Sequence, residues 1–252
     1  MDWLIPSIVA SLAGAAVLAS VFGYLAVTGR ERFMVAWSLA WALFFVRLLF
    51  DLAFVLTPGG SHLAIVGTQV AGLSYGLLLL AGTMMFVERP VRVGVLVVVG
   101  LMGAALSGAA LAAGVSPDIA ATPAYAVQGV AHVITGLAWW RARPGVGPWS
   151  RVTAVAFLVW GVHKLDYPII HGLPTVAPMG FILTAGLSLV VAVGVLVSYF
   201  EQTRRTLEHS QARYRALFEQ SASVMLIIDP TDGRIVDANR SAEDYYGWSV
   251  SE

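Results

Sequence analysis

The chain contains no cysteine, which excludes disulfides and thiolate metal sites alike. Charge is scarce too: 12% of the residues are Asp, Glu, Lys or Arg, and the formal net charge is zero. With no basic run and no positive surplus, nothing in the charge pattern suits a polyanion, so no nucleic-acid partner is expected. The N-terminus, MDWLIPS, lacks the positive n-region of a secretion signal, and Leu4–Val27 is expected to be a retained first span. No nucleophile–base pair and no phosphate loop is present, so this stretch of chain is expected to have no catalytic activity.

What is abundant is apolar: 58% of the residues are hydrophobic. They fall in blocks of about 20, the length a helix needs to cross a hydrocarbon core. Seven such segments stand out, Leu4–Val27, Met34–Leu56, Leu63–Val87, Val93–Ala113, Pro123–Trp140, Val152–Ile170 and Phe181–Phe200. The expected fold class is therefore an all-α integral membrane protein with a seven-helix transmembrane bundle over residues 1–200. A helical linker (201–221) and the start of an α+β domain (222–252) come after it.

Orientation comes from Lys and Arg. The first, third and fifth connections carry Arg30 and Arg32, then Arg89 and Arg92, then Arg141, Arg143 and Arg151, whereas the second, fourth and sixth carry none. The positive-inside rule puts the N-terminus outside and the C-terminus in the cytoplasm of a bacterial inner membrane. Trp3 is then expected at the outer interface and Trp37, Trp139, Trp140 and Trp149 at the inner one. Gly72 with Gly76, and Ala104 with Gly108, stand four apart and read as helix-packing positions.

Beyond Tyr199 the chain becomes polar and rich in helix formers. Phe200, Leu207 and Tyr214, with Thr203, Ser210 and Leu217, recur every seven residues, which predicts a helical stalk and allows a homodimer through it. In VMLIIDPTDGRIVDAN, the apolar run Val224–Asp229, the turn formers Pro230–Gly233 and the alternation of Arg234–Ala238 predict a hairpin.

The stretch from ARYRALFEQSA to AEDYYGWS resembles the opening of a PAS domain, with Asp229, Gly233, Asn239, Ala242 and Gly247 where that family usually has them. The resemblance implies a domain of about 100 residues, so the sequence is expected to be truncated. Chains of this layout usually continue into a histidine kinase or a diguanylate cyclase. A looser resemblance covers Trp160–Tyr199, with HKLDYP and a last span leading into YFEQ. It is similar to an input module found ahead of PAS domains in bacterial sensor proteins, which implies sensing and names no stimulus.

Within GVHKLDYP, His163, Lys164 and Asp166 are ionisable groups in the outer half of the sixth span, where lipid tolerates charge poorly. At 100° per residue His163, Asp166 and Tyr167 share a face, and Lys164 points about 160° away from Asp166. Partners are expected on other helices: Asp51 for Lys164, and Arg47 for Asp166. Gln69, Gln128 and His132 fall in the same leaflet. Such a cluster reads as a ligand or signal pocket reached from the periplasm; the alternative is polar glue between helices. His62 and His171 are expected in outer loops. Pro168 is expected to end the sixth helix.

The function these features suggest is a membrane receptor for a small molecule, ion or redox signal. The alternative is a haem b sensor with His132 and His163 as axial ligands, or a metal held by these two and Asp166. A retinal pigment is disfavoured, because opsins carry the Schiff-base lysine on the last helix and Phe181–Phe200 has none. Transporters use broken helices or inverted repeats, and neither is found.

Overall fold

Each of the seven apolar runs overlaps a helix among the described residues of the computed structural model, which are 3–57, 61–142, 147–167 and 176–247. The chain divides into two compact units, Met1–Ser198 and Tyr199–Glu252. The first begins with α1 (Leu4–Gly29), α2 (Arg32–Leu56), α3 (His62–Phe86) and α4 (Val93–Ala112). A short α5 (Pro117–Ala120), α6 (Thr122–Trp140), α7 (Trp149–Leu165) and α8 (Ala177–Glu219) come next.

Among the described residues, α1, α2, α3, α4 and α8 are long and apolar enough to cross a membrane. α6 and α7, at 19 and 17 residues, fall outside that class. They carry Gln128, His132, His163 and Lys164, which lower their apolarity. α5 has no counterpart in the hydropathy pattern; Pro117 and Pro123 start α5 and α6 at positions where a missing N–H costs nothing.

On α1 the buried residues Ile8, Leu12, Ala15, Leu18 and Phe22 recur every three or four positions. They form one stripe facing the bundle, while Val9, Val17 and Val21 on the other side are exposed. α4 takes this to an extreme, burying only Gly103 and Ser107. Apolar side chains turned outward in this way suit hydrocarbon rather than water.

α6 and α7 bring their backbones close together. A Cβ added at Gly161 would lie 2.9 Å from the Gly129 carbonyl oxygen, and one added at Gly136 would lie 2.9 Å from that of Ala154. The glycines expected to pack helices behave differently. Gly72 and Gly76 make room for side chains of α6, Gln128 and His132, at 2.9 and 3.4 Å from an added Cβ. Gly108 has nothing within 4 Å, so Ala104 and Gly108 make no packing seam.

The aromatic belt also needs correction. Trp37 and Trp139 are 1% and 0% exposed and lie stacked, with centroids 6.4 Å apart. Phe33 and Phe86 complete the cluster, and Trp139 Nε1 donates to Thr83 Oγ1 at 3.2 Å. Adjacent helical residues point about 100° apart, so Trp139 turns into the bundle while Trp140 stays outside with Trp3 and Trp149.

In the second unit, β1 (Leu226–Ile228) pairs antiparallel with β2 (Ile235–Ala238), with a register shift between Ile227 and Ile228. Asp229 Oδ1 accepts from the Thr231 amide at 2.8 Å, and Gly233 takes φ 74°, the left-handed turn position glycine favours. Asn239 caps α9 (Arg240–Tyr246), and Gly247 at φ 76° closes it.

Candidate functional site

α2 brings Arg47 and Asp51 onto one face, one turn apart. Their side chains meet at 3.3 Å. The buried guanidinium also donates from Nη2 to Tyr125 Oη of α6 at 2.9 Å, and Thr68 of α3 donates to Asp51 Oδ1 at 3.0 Å. Three helices are thereby tied by one charged pair. On α7, His163 Nδ1 lies 3.3 Å from Asp166 Oδ2, and His163 Nε2 lies 3.3 Å from the Gly180 carbonyl oxygen of α8.

These contacts correct the pairing expected from the helix faces. Arg47 takes Asp51 rather than Asp166, and Asp166 takes His163. In both cases the contact is made by a neighbour one turn away on the same helix. Lys164 is left over. It is 3% exposed, no carboxylate oxygen lies within 4.0 Å of it among the described residues, and its Nζ sits 5.4 Å from the Tyr125 ring centroid. Arg47 Cζ approaches the same ring at 5.8 Å, and Tyr167 stacks on it at 3.6 Å with the planes 12° apart.

These groups surround a cavity of about 310 Å³ inside the first unit. Arg47, Asp51, Gln69, His163, Lys164, Asp166 and Tyr167, all anticipated from the sequence, line it. Tyr125, Thr68 and Asp118 line it too and were not anticipated. The rest is mostly apolar, with Phe54, Val55, Ile65 and Phe181 prominent. An aromatic in a span reads as lipid-facing or core, so nothing in the sequence marks Tyr125 as the hub of the site.

Gln128 and His132, also anticipated, are fully buried but do not line the cavity. His132 Nδ1 donates to the Gln128 carbonyl at 2.7 Å, and its ring is packed between Trp160, Tyr75 and Phe157 at 4.7, 5.7 and 5.9 Å. The haem and metal alternatives therefore do not fit. His132 is walled in by rings, both nitrogens of His163 are engaged, and the two imidazoles do not face a common space. No group of three or more His, Cys, Asp or Glu with metal-holding geometry occurs among the described residues. His62 is the first, exposed residue of α3. α7 ends at Leu165 with Asp166 as its cap, while Pro168 and His171 lie outside the described residues.

In the second unit a single side chain gathers the local structure. Asn239, 0% exposed, accepts from Met225 N at 2.9 Å and Ala242 N at 3.1 Å. Its Nδ2 donates to the carbonyl oxygens of Phe218 at 3.0 Å and Ser223 at 2.9 Å. One amide thus joins the end of α8, the strand and α9. Asp229, Gly233, Asn239, Ala242 and Gly247 each have a local role here, as turn acceptor, left-handed turn residue, cap, buried contact and left-handed helix end.

Residues 212–252 match the PAS domain family. No curated protein and no solved structure matches the chain. The PAS match begins within α8 and takes in the hairpin, Asn239 and α9. A PAS region beside helices apolar enough for a membrane indicates a signalling or sensory role.

Proposed function

We propose that this chain is a membrane-embedded receptor. Its bundle crosses the inner membrane seven times with the N-terminus outside, binds a small molecule or ion in the cavity between the outer helix halves, and relays occupancy through α8 to the PAS region. The observation that carries this reading is the place of α8. Gly180, Phe181 and Thr184 line the cavity, and the same helix runs unbroken to Glu219, inside the PAS match. At 43 residues it is about twice the length a bilayer core requires, so a shift at one end has a continuous path out of the lipid. The complete Lys/Arg asymmetry of the connections supports the orientation.

His163 is the natural coupling element. Its two neighbours, a carboxylate and a carbonyl, are both acceptors, and only a doubly protonated ring donates to both. A ligand that competes for either partner therefore alters the α7–α8 joint.

The test is to fill the cavity from its rim. Val55 lines it and is partly exposed, so Val55→Trp should be accommodated. In nanodiscs, amide exchange over 201–219 is expected to differ between this variant and wild type. Unchanged linker exchange alongside altered exchange near the cavity would leave the polar cluster as interhelical glue.

A further inference from the structure

Resting on that reading, we infer that the cavity's ligand carries a carboxylate, held by Lys164 with Arg47 beside it, on a small apolar body. Lys164 is the only lysine in the chain and is buried in the wall of the cavity. Two of the acidic residues that line the same space are engaged elsewhere, Asp51 by Arg47 and Thr68 and Asp166 by His163. A buried ammonium calls for an anion or a set of acceptors, and the Tyr125 ring face supplies only a weak substitute.

Two further donors point to the same chemistry. Arg47 Nε and Gln69 Nε2 are both buried, both belong to residues lining the cavity, and neither has a hydrogen-bond partner. Lys164 and Arg47 converge on one ring, at 5.4 and 5.8 Å from its centroid, so two cations are drawn to the same Tyr125. An anionic group beside that ring relieves their repulsion and accepts from the free donors at once. A carboxylate matches this set with its two oxygens. Phe54, Val55, Ile65 and Phe181 supply the surface for the apolar body.

The single lysine makes the test direct. The chain, labelled with 13C-lysine and held in nanodiscs, gives one lysine resonance, that of Lys164. It is titrated with the straight-chain carboxylates from acetate to octanoate, the matching amides and the matching primary amines. A separate arm uses palmitate-doped nanodiscs, which distinguishes a membrane-borne carboxylate from a soluble one. At least one carboxylate is expected to shift the resonance saturably and to raise the unfolding temperature. Its amide should bind about tenfold or more weaker, the loss of a charge-assisted contact. Lys164→Arg should keep the thermal shift and Lys164→Met should lose it.

Equal response to amides or amines, retention of the thermal shift in Lys164→Met, or no response to any carboxylate in either arm overturns the assignment. These outcomes are separable from failure of the receptor reading. An amine or amide effect that Val55→Trp abolishes keeps the pocket and rejects the carboxylate, and the linker exchange of Val55→Trp judges the relay without any ligand.

Discussion

His163 and Gly180 join α7 to α8, with Nε2 of the ring 3.3 Å from the glycine carbonyl. The link falls one turn from the start of the helix that continues to the PAS match. Replacing His163 with Phe keeps a ring and removes both hydrogen bonds, at a cost of about 1–3 kcal/mol for two partly buried bonds. Faster amide exchange at 178–184 is expected, together with a change over 201–219. A change at the first segment alone would confine His163 to local packing.

The Arg47–Asp51 pair should show strong non-additivity. Asp51→Asn leaves a buried guanidinium without its carboxylate and is expected to cost about 3 kcal/mol or more, whereas Arg47→Met combined with Asp51→Leu should recover much of that. Unfolding of the variants in detergent, compared as a double-mutant cycle, measures the coupling.

Glycine substitutions should separate contact from coincidence. Gly161→Ala drives a methyl toward the Gly129 carbonyl at 2.9 Å and is expected to destabilise by about 1–3 kcal/mol through overpacking. Gly108→Ala meets nothing within 4 Å and should be neutral or mildly stabilising. Thermal unfolding of the two variants side by side decides the matter.

Asn239→Asp keeps an oxygen for Met225 and Ala242 but loses the donor that serves Phe218 and Ser223. Asn239→Ala loses the cap as well, for which about 1 kcal/mol is usual. The expected order of amide protection in 224–228 is wild type, then Asp, then Ala.

At the hairpin turn, the Thr231 hydroxyl and amide both donate to Asp229 and hold its carboxyl below the usual carboxylate range. A depressed value in the folded turn means support that is present above the unfolded carboxylate range and lost as pH falls through the folded value. Asp229→Asn should flatten that acid dependence, read as exchange at Thr231 and Gly233.

Much of the fold is legible in the sequence because long apolar helices and PAS-type turns leave short-range signatures. Apolar runs of helical length mark seven segments, and the five C-terminal residues that carry the PAS resemblance all take local backbone or capping roles. Grouping is legible too: the ionisable residues of α2 and α7 line one cavity. Rotation is not. A helical wheel says which residues share a face but not which neighbour that face meets, so it pairs Lys164 with Asp51. Tyr125 escapes notice for a related reason, since its phenol matters only because α6 places it between Arg47, Lys164 and Tyr167.

α4 has few neighbours, and that leaves its sequence unusually free. Only Gly103 and Ser107 are buried and Gly100 abuts Leu77, so most of its other side chains are little constrained by the shape of neighbours. Exchange of Val, Leu, Ile and Met along that surface should pass almost unnoticed by the rest of the molecule. Saturation mutagenesis of α4 should accordingly tolerate any oily residue outside Gly100, Gly103 and Ser107 and object elsewhere mainly to charge, whereas α6 should reject even a methyl at Gly129 and Gly136.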